Sequence, residues 1–468
     1  MRKIILCLCL FLTFLNMNAQ KVYNSPEKKS LQELQQAFID LKFGMFIHFN
    51  IPTYANQDWP DPDMPAATFN PTKLDCDQWA KAAKSAHMTY GCLTTKHHSG
   101  FCIWDTKTTN YSVMNSSFKK DVVKEYVNAF RKNGLKVSLY YSILDTHHRI
   151  RPNNINKQSI VFIKAQLKEL LTNYGTIDAL IFDGWDAPWS RISYDDISFQ
   201  EIYNWVKKWQ PNCLVMDLNS AKYPAGALFY SDIKSYEQNA GQMISKETNK
   251  LPALSCLPLQ ENWFWKTTFP SSTLKSPEFL IKDNLVPFNN AYCNFLLNVA
   301  PNKEGLIDKN ALDALQKMGE LWQDDKKYQA LPKQDAPIIS RNLAKDKFAE
   351  SSWSDDMNIM DFGNDDKFNT SWESNPEIKN PWYEVVLGKD ISFNTIVITE
   401  GGEPKITNYT LEIYTHGQWK KLIDGNNKQK TKLIRFPNTK GDKVRMKINE
   451  YNSTPSIAEF GIYNEPKL

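Results

Sequence analysis

Ala179-Leu180-Ile181-Phe182-Asp183-Gly184-Trp185 is the stretch whose reading decides the fold. Four apolar residues run on without polar alternation, which marks a strand buried on both faces. An acid, a glycine and a tryptophan follow at once. A carboxyl so placed emerges from the end of a buried strand and needs a partner or a function. Gly184 lets the chain turn sharply behind it. Outward from this stretch, short apolar runs recur at 44–49, 90–95, 136–141, 214–217, 227–230, 253–257 and 294–298. None of them alternates as a half-exposed strand does.

Helical patterns lie between these runs. The segment 75–83 opens on a capping acid, Asp75; 122–132 and 160–174 follow the same period, with Gly134 and Gly175 where helix stops belong. In 199–209, Trp205 and Trp209 are four apart and share one helix face, as core packing requires. Eight strands alternating with helices are the arithmetic of a (β/α)8-like TIM barrel in the α/β class. The alternative, a doubly wound sheet, lacks a GxGxxG after any strand. Composition changes near Leu331-Pro332-Lys333. Beyond it, alternating runs at 382–387, 392–399, 409–414 and 443–448, separated by turns such as Asp424-Gly425-Asn426, predict an antiparallel all-β sandwich. At the other end, Met1-Arg2-Lys3, an apolar run over 4–15 and a polar exit with Ala19 follow the plan of a secretory signal peptide. The expected organisation is a signal peptide over 1–19, a barrel over 20–335 and a sandwich over 336–468, in an exported protein, periplasmic or secreted.

Composition sets limits on function. The chain of 468 residues is too long for one compact unit, and 42% hydrophobic with 23% charged residues is globular. A net charge of +4 on 56 bases and 52 acids, with no basic cluster, argues against a nucleic-acid partner. No second apolar run is long enough for a membrane span in the mature chain. Cys76, Cys92, Cys102, Cys213, Cys256 and Cys293 form no CxxC pair, so buried thiols are expected rather than a metal framework. Aromatic residues reach 13%. Such rings suit cores, and they also suit stacking on sugar faces.

Polar residues at the C-terminal ends of barrel strands are the catalytic candidates. They are His48, then Lys96-His97-His98, then Tyr140-Tyr141, then Asp183, then Asp232 and Tyr236-Glu237. Adjacent His97 and His98 reach one pocket only where the strand is ending, since neighbours in a regular strand face opposite ways. Two chemistries fit. One is a metal-dependent hydrolase with the three histidines and Asp183 as ligands, although no His-x-His occurs. The other is glycoside hydrolysis by two carboxyls, without metal or cofactor. Trp59, Trp104, Trp185, Trp189, Trp263 and Trp265 lie near the predicted strand ends and favour the second.

At these residues the sequence resembles the α-L-fucosidases of glycoside hydrolase family 29. The resemblance is carried by Phe46-Ile47-His48-Phe49, by the run from Leu93 through Lys96-His97-His98-Ser99-Gly100-Phe101-Cys102 to Trp104, by Ile181-Phe182-Asp183-Gly184 and by Phe295-Leu296-Leu297-Asn298 with Val299-Ala300-Pro301. It implies a retaining mechanism with Asp183 as nucleophile. It implies that His48, His97 and His98 hold fucose hydroxyls, with Tyr141 and Trp59 in the pocket wall. The spacing from His48 to Asp58-Trp59 resembles the branch that releases α-1,3/1,4-linked fucose from branched, Lewis-type glycans; that branch usually carries Glu where Asp58 stands. Asn50 replaces a common Gly and Ser99 a common Asp. Glu237 lies in the region expected of the acid/base, with Glu261 and Asp232 as alternatives. The implied partner is a fucosylated oligosaccharide or glycoconjugate glycan. A glycan-binding protein without turnover is the alternative. The C-terminal stretch resembles a discoidin-type domain (coagulation factor five/eight C-type) at Asn342-Leu343-Ala344, Thr370-Ser371-Trp372, Trp382 to Gly388 and Ile457-Ala458-Glu459-Phe460. Trp372 and Trp382 read there as framework.

Overall fold

The computed structural model describes residues 27–327, 329–426 and 428–466. The expected signal peptide, 1–19, lies outside them. Eight parallel strands form the first sheet: β1 (Phe43–Ile47), β2 (Tyr90–Lys96), β3 (Lys136–Ser142), β4 (Ala179–Asp183), β5 (Leu214–Asp217), β6 (Lys234–Glu237), β7 (Ala253–Pro258) and β8 (Cys293–Asn298). Their hydrogen-bonded order is β5-β4-β3-β2-β1-β8-β7-β6, so the sheet curls into a nearly closed barrel. Returning helices, among them Cys76–Ser85, Val122–Lys132, Lys157–Thr172 and Phe199–Trp209, pack outside. Their starts are set by side chains. Asp75 accepts from the amides of Asp77 and Gln78, Asp121 from Lys124, Asn156 from Ser159 and Ser198 from Glu201. Each such cap contributes about 1 kcal/mol.

Strand alternation divides the apolar residues into two layers. Phe46, Tyr140, Ile181, Met216, Leu254 and Leu296 fill the barrel interior, while Ile47, Leu93, Leu139, Tyr141, Phe182 and Val215 pack against the helices. The two ends of the sheet, β5 and β6, meet at a seam. Asp232 N–H donates to the Val215 carbonyl (2.7 Å), Val215 N–H to the Asp232 carboxylate (2.9 Å) and Asp217 N–H to Ser231 Oγ (3.2 Å).

One predicted strand is wrong. The sixth strand is Lys234–Glu237 and not 227–230. The run 227–230 is apolar because it is covered by the chain entering the second domain: Phe229 bridges Ile338, Tyr230 N–H donates to the Ile338 carbonyl (2.7 Å), and the Tyr230 hydroxyl to that of Ser340 (3.1 Å).

The second domain is antiparallel and all-β: β9 (Ala349–Ser351), β10 (Trp372–Glu373), β11 (Trp382–Glu400), β12 (Ile406–Thr415), β13 (Gln418–Gly425), β14 (Thr431–Tyr451) and β15 (Ser456–Tyr463). The runs predicted at 382–387 and 392–399 are one long strand, β11, with register shifts against β14 at Val386/Ile391 and Phe393/Thr395. Bent in this way, β11 pairs β9 through Tyr383–Val385 and β15 through Thr395–Glu400, and so runs through both layers of the sandwich. Trp372, Tyr383, Phe393, Tyr409 and Phe460 fill the space between. Trp372 is buried with its indole N–H shared between Ser351 and Ser354, a framework role; Trp382 is half-buried beside Arg445. Val397 and Tyr463 belong to the apolar cluster of the barrel, and Lys345 pairs with Asp195 across the junction (2.9 Å). Cys76, Cys92, Cys102, Cys213, Cys256 and Cys293 are buried free thiols. Among the described residues no helix is long and apolar enough to cross a membrane.

Candidate active site

The C-terminal ends of the barrel strands surround a cavity of ≈ 370 Å³ lined by Phe46, His48, Asp58, Trp59, His97, His98, Asp183, Trp189, Leu218, Glu237, Ala240 and Trp263. Of the residues expected from the sequence, His48, Asp58, Trp59, His97, His98, Asp183 and Glu237 lie in this lining, and Lys96, Tyr140, Tyr141, Asp232 and Tyr236 do not.

Asp183 is the last residue of β4 and is buried. Its Oδ1 accepts from Gly184 N–H (2.6 Å) and Asn219 Nδ2 (3.2 Å), and its Oδ2 from the Tyr140 hydroxyl (2.7 Å). Gly184 sits at φ 63°, and a Cβ there would lie 2.7 Å from Leu144 Cβ, so the turn behind Asp183 admits no side chain. Tyr140 therefore replaces Tyr141 at the site. Neighbours on a strand face opposite ways, and Tyr141 points outward, where its hydroxyl meets Gln166 Oε1 (2.7 Å) and the buried Lys96–Asp145 pair.

The histidines emerge where their strands end. His97 and His98 follow the last residue of β2, free of strand alternation, and their rings lie 3.9 Å apart. His98 Nδ1 is 2.7 Å from Ser142 Oγ, whose hydroxyl donates to Leu144, so the imidazole N–H points at the serine. Its Nε2 lies 3.6 Å from Asp183 Oδ2, too far for a hydrogen bond. His48 Nδ1 is fixed on Asn298 Oδ1 (2.7 Å), and Asn298 Nδ2 donates to the Trp263 carbonyl (2.7 Å). His97 Nδ1 is buried and has no hydrogen-bond partner among the described residues. Burial lowers all three: His48 to about 3 and His97 well below the ordinary range, with neighbouring histidines adding to the effect, and His98 to about 4, with Asp183 opposing and Lys96 adding to it. Near neutrality each is an uncharged ring with one donor and one acceptor, a set suited to hydroxyl groups.

Glu237 ends β6, across the cavity. Burial, with the Asp183 carboxylate second, raises its carboxyl to about 7 against a hydrogen bond from Trp263 that lowers it. The two alternatives to it lie outside the cavity lining. Asp232 is fully buried in the β5–β6 seam, bound by Tyr203 and Lys207 (3.1 and 2.9 Å); Glu261 is exposed and outside the lining. The cavity thus pairs a carboxylate held by three donors with a carboxyl that keeps its proton near neutrality.

The tryptophans separate into two groups. Trp59, Trp189 and Trp263 line the cavity. Trp59 is 52% exposed and stacks on His98 (4.7 Å, 27°); Trp189, 46% exposed, stands edge-on to it (5.3 Å, 85°). Trp104, Trp185 and Trp265 are buried, with indole N–H groups on Glu169, the Ile197 carbonyl and Asp308. Asp58 lies at the rim and is tied to Lys266 Nζ (2.6 Å). Asn50 packs beneath the site and donates to the Phe101 carbonyl (3.1 Å). The sequence offers Tyr140 beside Tyr141 as a strand-end candidate and places Asn298 in a family motif, without a role for either; Asn219 carries no signal there. Among the described residues no group of three or more His, Cys, Asp and Glu is arranged to hold a metal ion.

A family model described as alpha-L-fucosidase matches residues 54–327, and one described as F5/8 type C domain matches residues 344–460. The chain is 26% identical over 451 residues to alpha-L-fucosidase 1 of Arabidopsis thaliana, covering 90% of this chain and 84% of that one. It is 26% identical over 327 residues to tissue alpha-L-fucosidase of Mus musculus, covering 60% of this chain and 69% of that one. The crystal structure of a glycoside hydrolase 29 family member from an unknown rumen bacterium shares the fold, with a TM-score of 0.53 at 24% identity over 93% of this chain and 77% of that one.

Proposed function

The chain belongs to the alpha-L-fucosidase family of glycoside hydrolases, with a fucosylated glycan as substrate, and from that premise we propose an exported, retaining exo-enzyme that releases α-1,3/1,4-linked fucose from branched, Lewis-type glycans. The observation that carries the mechanism is the unequal pair of carboxyls on one small cavity. Asp183 attacks the anomeric carbon as the glycosidic C–O bond breaks, and Glu237 gives its proton to the departing oxygen. A fucosyl ester on Asp183 results. Water then attacks the same carbon, Glu237 takes a proton from it, and fucose leaves with Asp183 restored. His48, His97 and His98, all uncharged, hold the fucose hydroxyls; His98 Nε2 and Asp183 Oδ2 lie 3.6 Å apart in the lining, so one hydroxyl in the cavity can reach both. A closed barrel floor, formed by Phe46, Tyr140 and their interior neighbours, limits the cavity to the terminal sugar.

The linkage reading rests on Asp58-Trp59 at the rim. Asp58 is drawn to Lys266, so its charge steadies the loop that carries Trp59. Export rests on the apolar run 4–15 behind a basic start. The test is fucose release from α-1,2-, α-1,3-, α-1,4- and α-1,6-linked oligosaccharides, assayed on cytoplasmic, periplasmic and culture fractions of cells expressing the full chain. Release from the 1,3 and 1,4 linkages outside the cytoplasm is expected. Preference for 1,2 or 1,6 linkages sinks the linkage claim, cytoplasmic activity sinks export, and binding without release sinks turnover.

The exposed ring of Trp59 yields a separate expectation. Trp59→Ala removes a stacking face at the cavity mouth and leaves both carboxyls in place. KM for an aryl fucoside is expected to rise about 3- to 10-fold with kcat little changed. An unchanged KM would show that the ring does not touch the sugar.

A further inference from the structure

We propose that Tyr194, Asp217 and Asn219, which lie outside the cavity lining, form a positioning relay that fixes the Asp183 carboxylate for attack. The proposal rests on Asp183 being the nucleophile. Asn219 stands two residues after β5 and donates its Nδ2 to Asp183 Oδ1 (3.2 Å). An amide can present either of its two ends. Presented the wrong way round, its oxygen would face a carboxylate oxygen and push Asp183 aside. The surroundings decide the matter: the Trp185 carbonyl (3.2 Å) and Asp217 Oδ1 (3.4 Å) converge on the same Nδ2, so acceptors crowd that end and only the NH2 group fits there.

Asp217 is the centre of this arrangement. It is the last residue of β5 and is fully buried, and its Oδ1 also accepts from Asn219 N–H (2.8 Å). Its own N–H is held by Ser231 Oγ, and its Oδ2 accepts from the Tyr194 hydroxyl (2.6 Å). Tyr194 is clamped between Trp185 (5.1 Å) and Tyr230 (4.1 Å). The loop carrying Tyr194 is pinned from the second domain by Lys345 on Asp195. Burial pushes Asp217 up to about 8, while the hydrogen bonds from Tyr194 and Asn219 favour its ionised form and oppose that rise. With Tyr140 on Oδ2 and Gly184 and Asn219 on Oδ1, both oxygens of Asp183 are then held in one plane. A carboxylate so fixed loses little freedom when it attacks.

The test is steady-state kinetics of Asn219→Ala, Asp217→Asn, Tyr194→Phe and the Asp217→Asn/Asn219→Ala pair on an aryl fucoside, with Asp183→Asn as reference and thermal midpoints read alongside. A roughly 10- to 100-fold loss of kcat in Asn219→Ala and Asp217→Asn, with KM within about twofold, is expected. Tyr194→Phe is expected to lose a smaller factor in the same parameter. The pair is expected to be no slower than Asn219→Ala alone, because Asp217 acts through that amide. Losses that multiply in the pair, or single variants with unchanged kcat, overturn the relay while leaving the assignment of Asp183 intact. Turnover retained in Asp183→Asn overturns both. If Asp217→Asn does not fold, Tyr194→Phe and Asn219→Ala decide, since neither side chain lines the cavity or leaves a charge unpaired.

Discussion

Asp183→Asn is expected to abolish turnover, with kcat on an aryl fucoside falling on the order of 10⁴- to 10⁶-fold. The amide has the size of the carboxylate but cannot supply the electron pair that forms the fucosyl ester. The site should otherwise survive. On the Oδ2 side the Tyr140 hydroxyl can accept from the new NH2 group as readily as it now donates, and Oδ1 keeps its bonds from Gly184 and Asn219. Retained binding of L-fucose by calorimetry, with a thermal midpoint near that of the unaltered protein, would assign the loss to chemistry. Residual activity within tenfold of the unaltered enzyme would remove Asp183 from the nucleophile's role.

Glu237→Gln comes second in expected size and differs in kind. General acid catalysis supplies roughly 10²- to 10⁴-fold, and the loss should approach that range for a sugar leaving group and be much smaller for a nitrophenyl fucoside, which departs unaided. The sign of the pH effect follows from the carboxyl's raised value of about 7. Glu237 must carry its proton to act, so kcat/KM of the unaltered enzyme should fall as pH rises through about 7. In Glu237→Gln that alkaline limb should vanish, because nothing remains to lose the proton. In Glu237→Ala, azide should restore turnover of the activated substrate as a fucosyl azide. An alkaline limb that persists in the Gln variant, with no rescue by azide, would move the acid/base elsewhere on the rim.

Much of this architecture was legible in the sequence, and the exceptions have physical causes. Continuous apolar runs gave away seven of the eight barrel strands, because a strand covered on both faces has no polar side to show. β6 hid itself: Lys-Ser-Tyr-Glu has no apolar run. Its lysine spends its charge on the backbone carbonyls of Tyr223 and Pro224 (2.6 and 3.1 Å), and its glutamate faces the cavity. The apolar decoy at 227–230 is buried by another domain. Tyr140 and Tyr141 differ only in strand phase, which a one-residue shift reverses. Asp183, Glu237 and the histidines were readable because titratable groups at the ends of buried strands have few structural excuses. Asn219 and Asn298 were not, since an asparagine in a loop or at a strand end is ordinary in a sequence and becomes informative only when the acceptors around its amide are known. The tryptophans warn against counting: a ring near a strand end is as easily a wedge under a loop, as Trp104, Trp185 and Trp265 are, as a surface for a sugar.

The junction between β5 and β6 makes the barrel a split ring. Elsewhere around its circumference adjacent strands are held at one fixed spacing by their backbone ladders, whereas here the gap is spanned chiefly by a carboxylate and a hydroxyl, from Asp232 and Ser231. Asp183 stands one strand to one side of the split, on β4, and Glu237 on its other lip. The distance between the two acids is therefore calibrated by the reach of side chains and not by the pitch of a sheet. That distance decides whether a carboxylate attacks directly or a water must be interposed. A ring with a side-chain clasp allows it to be retuned by substitution, with the rest of the hoop unaltered.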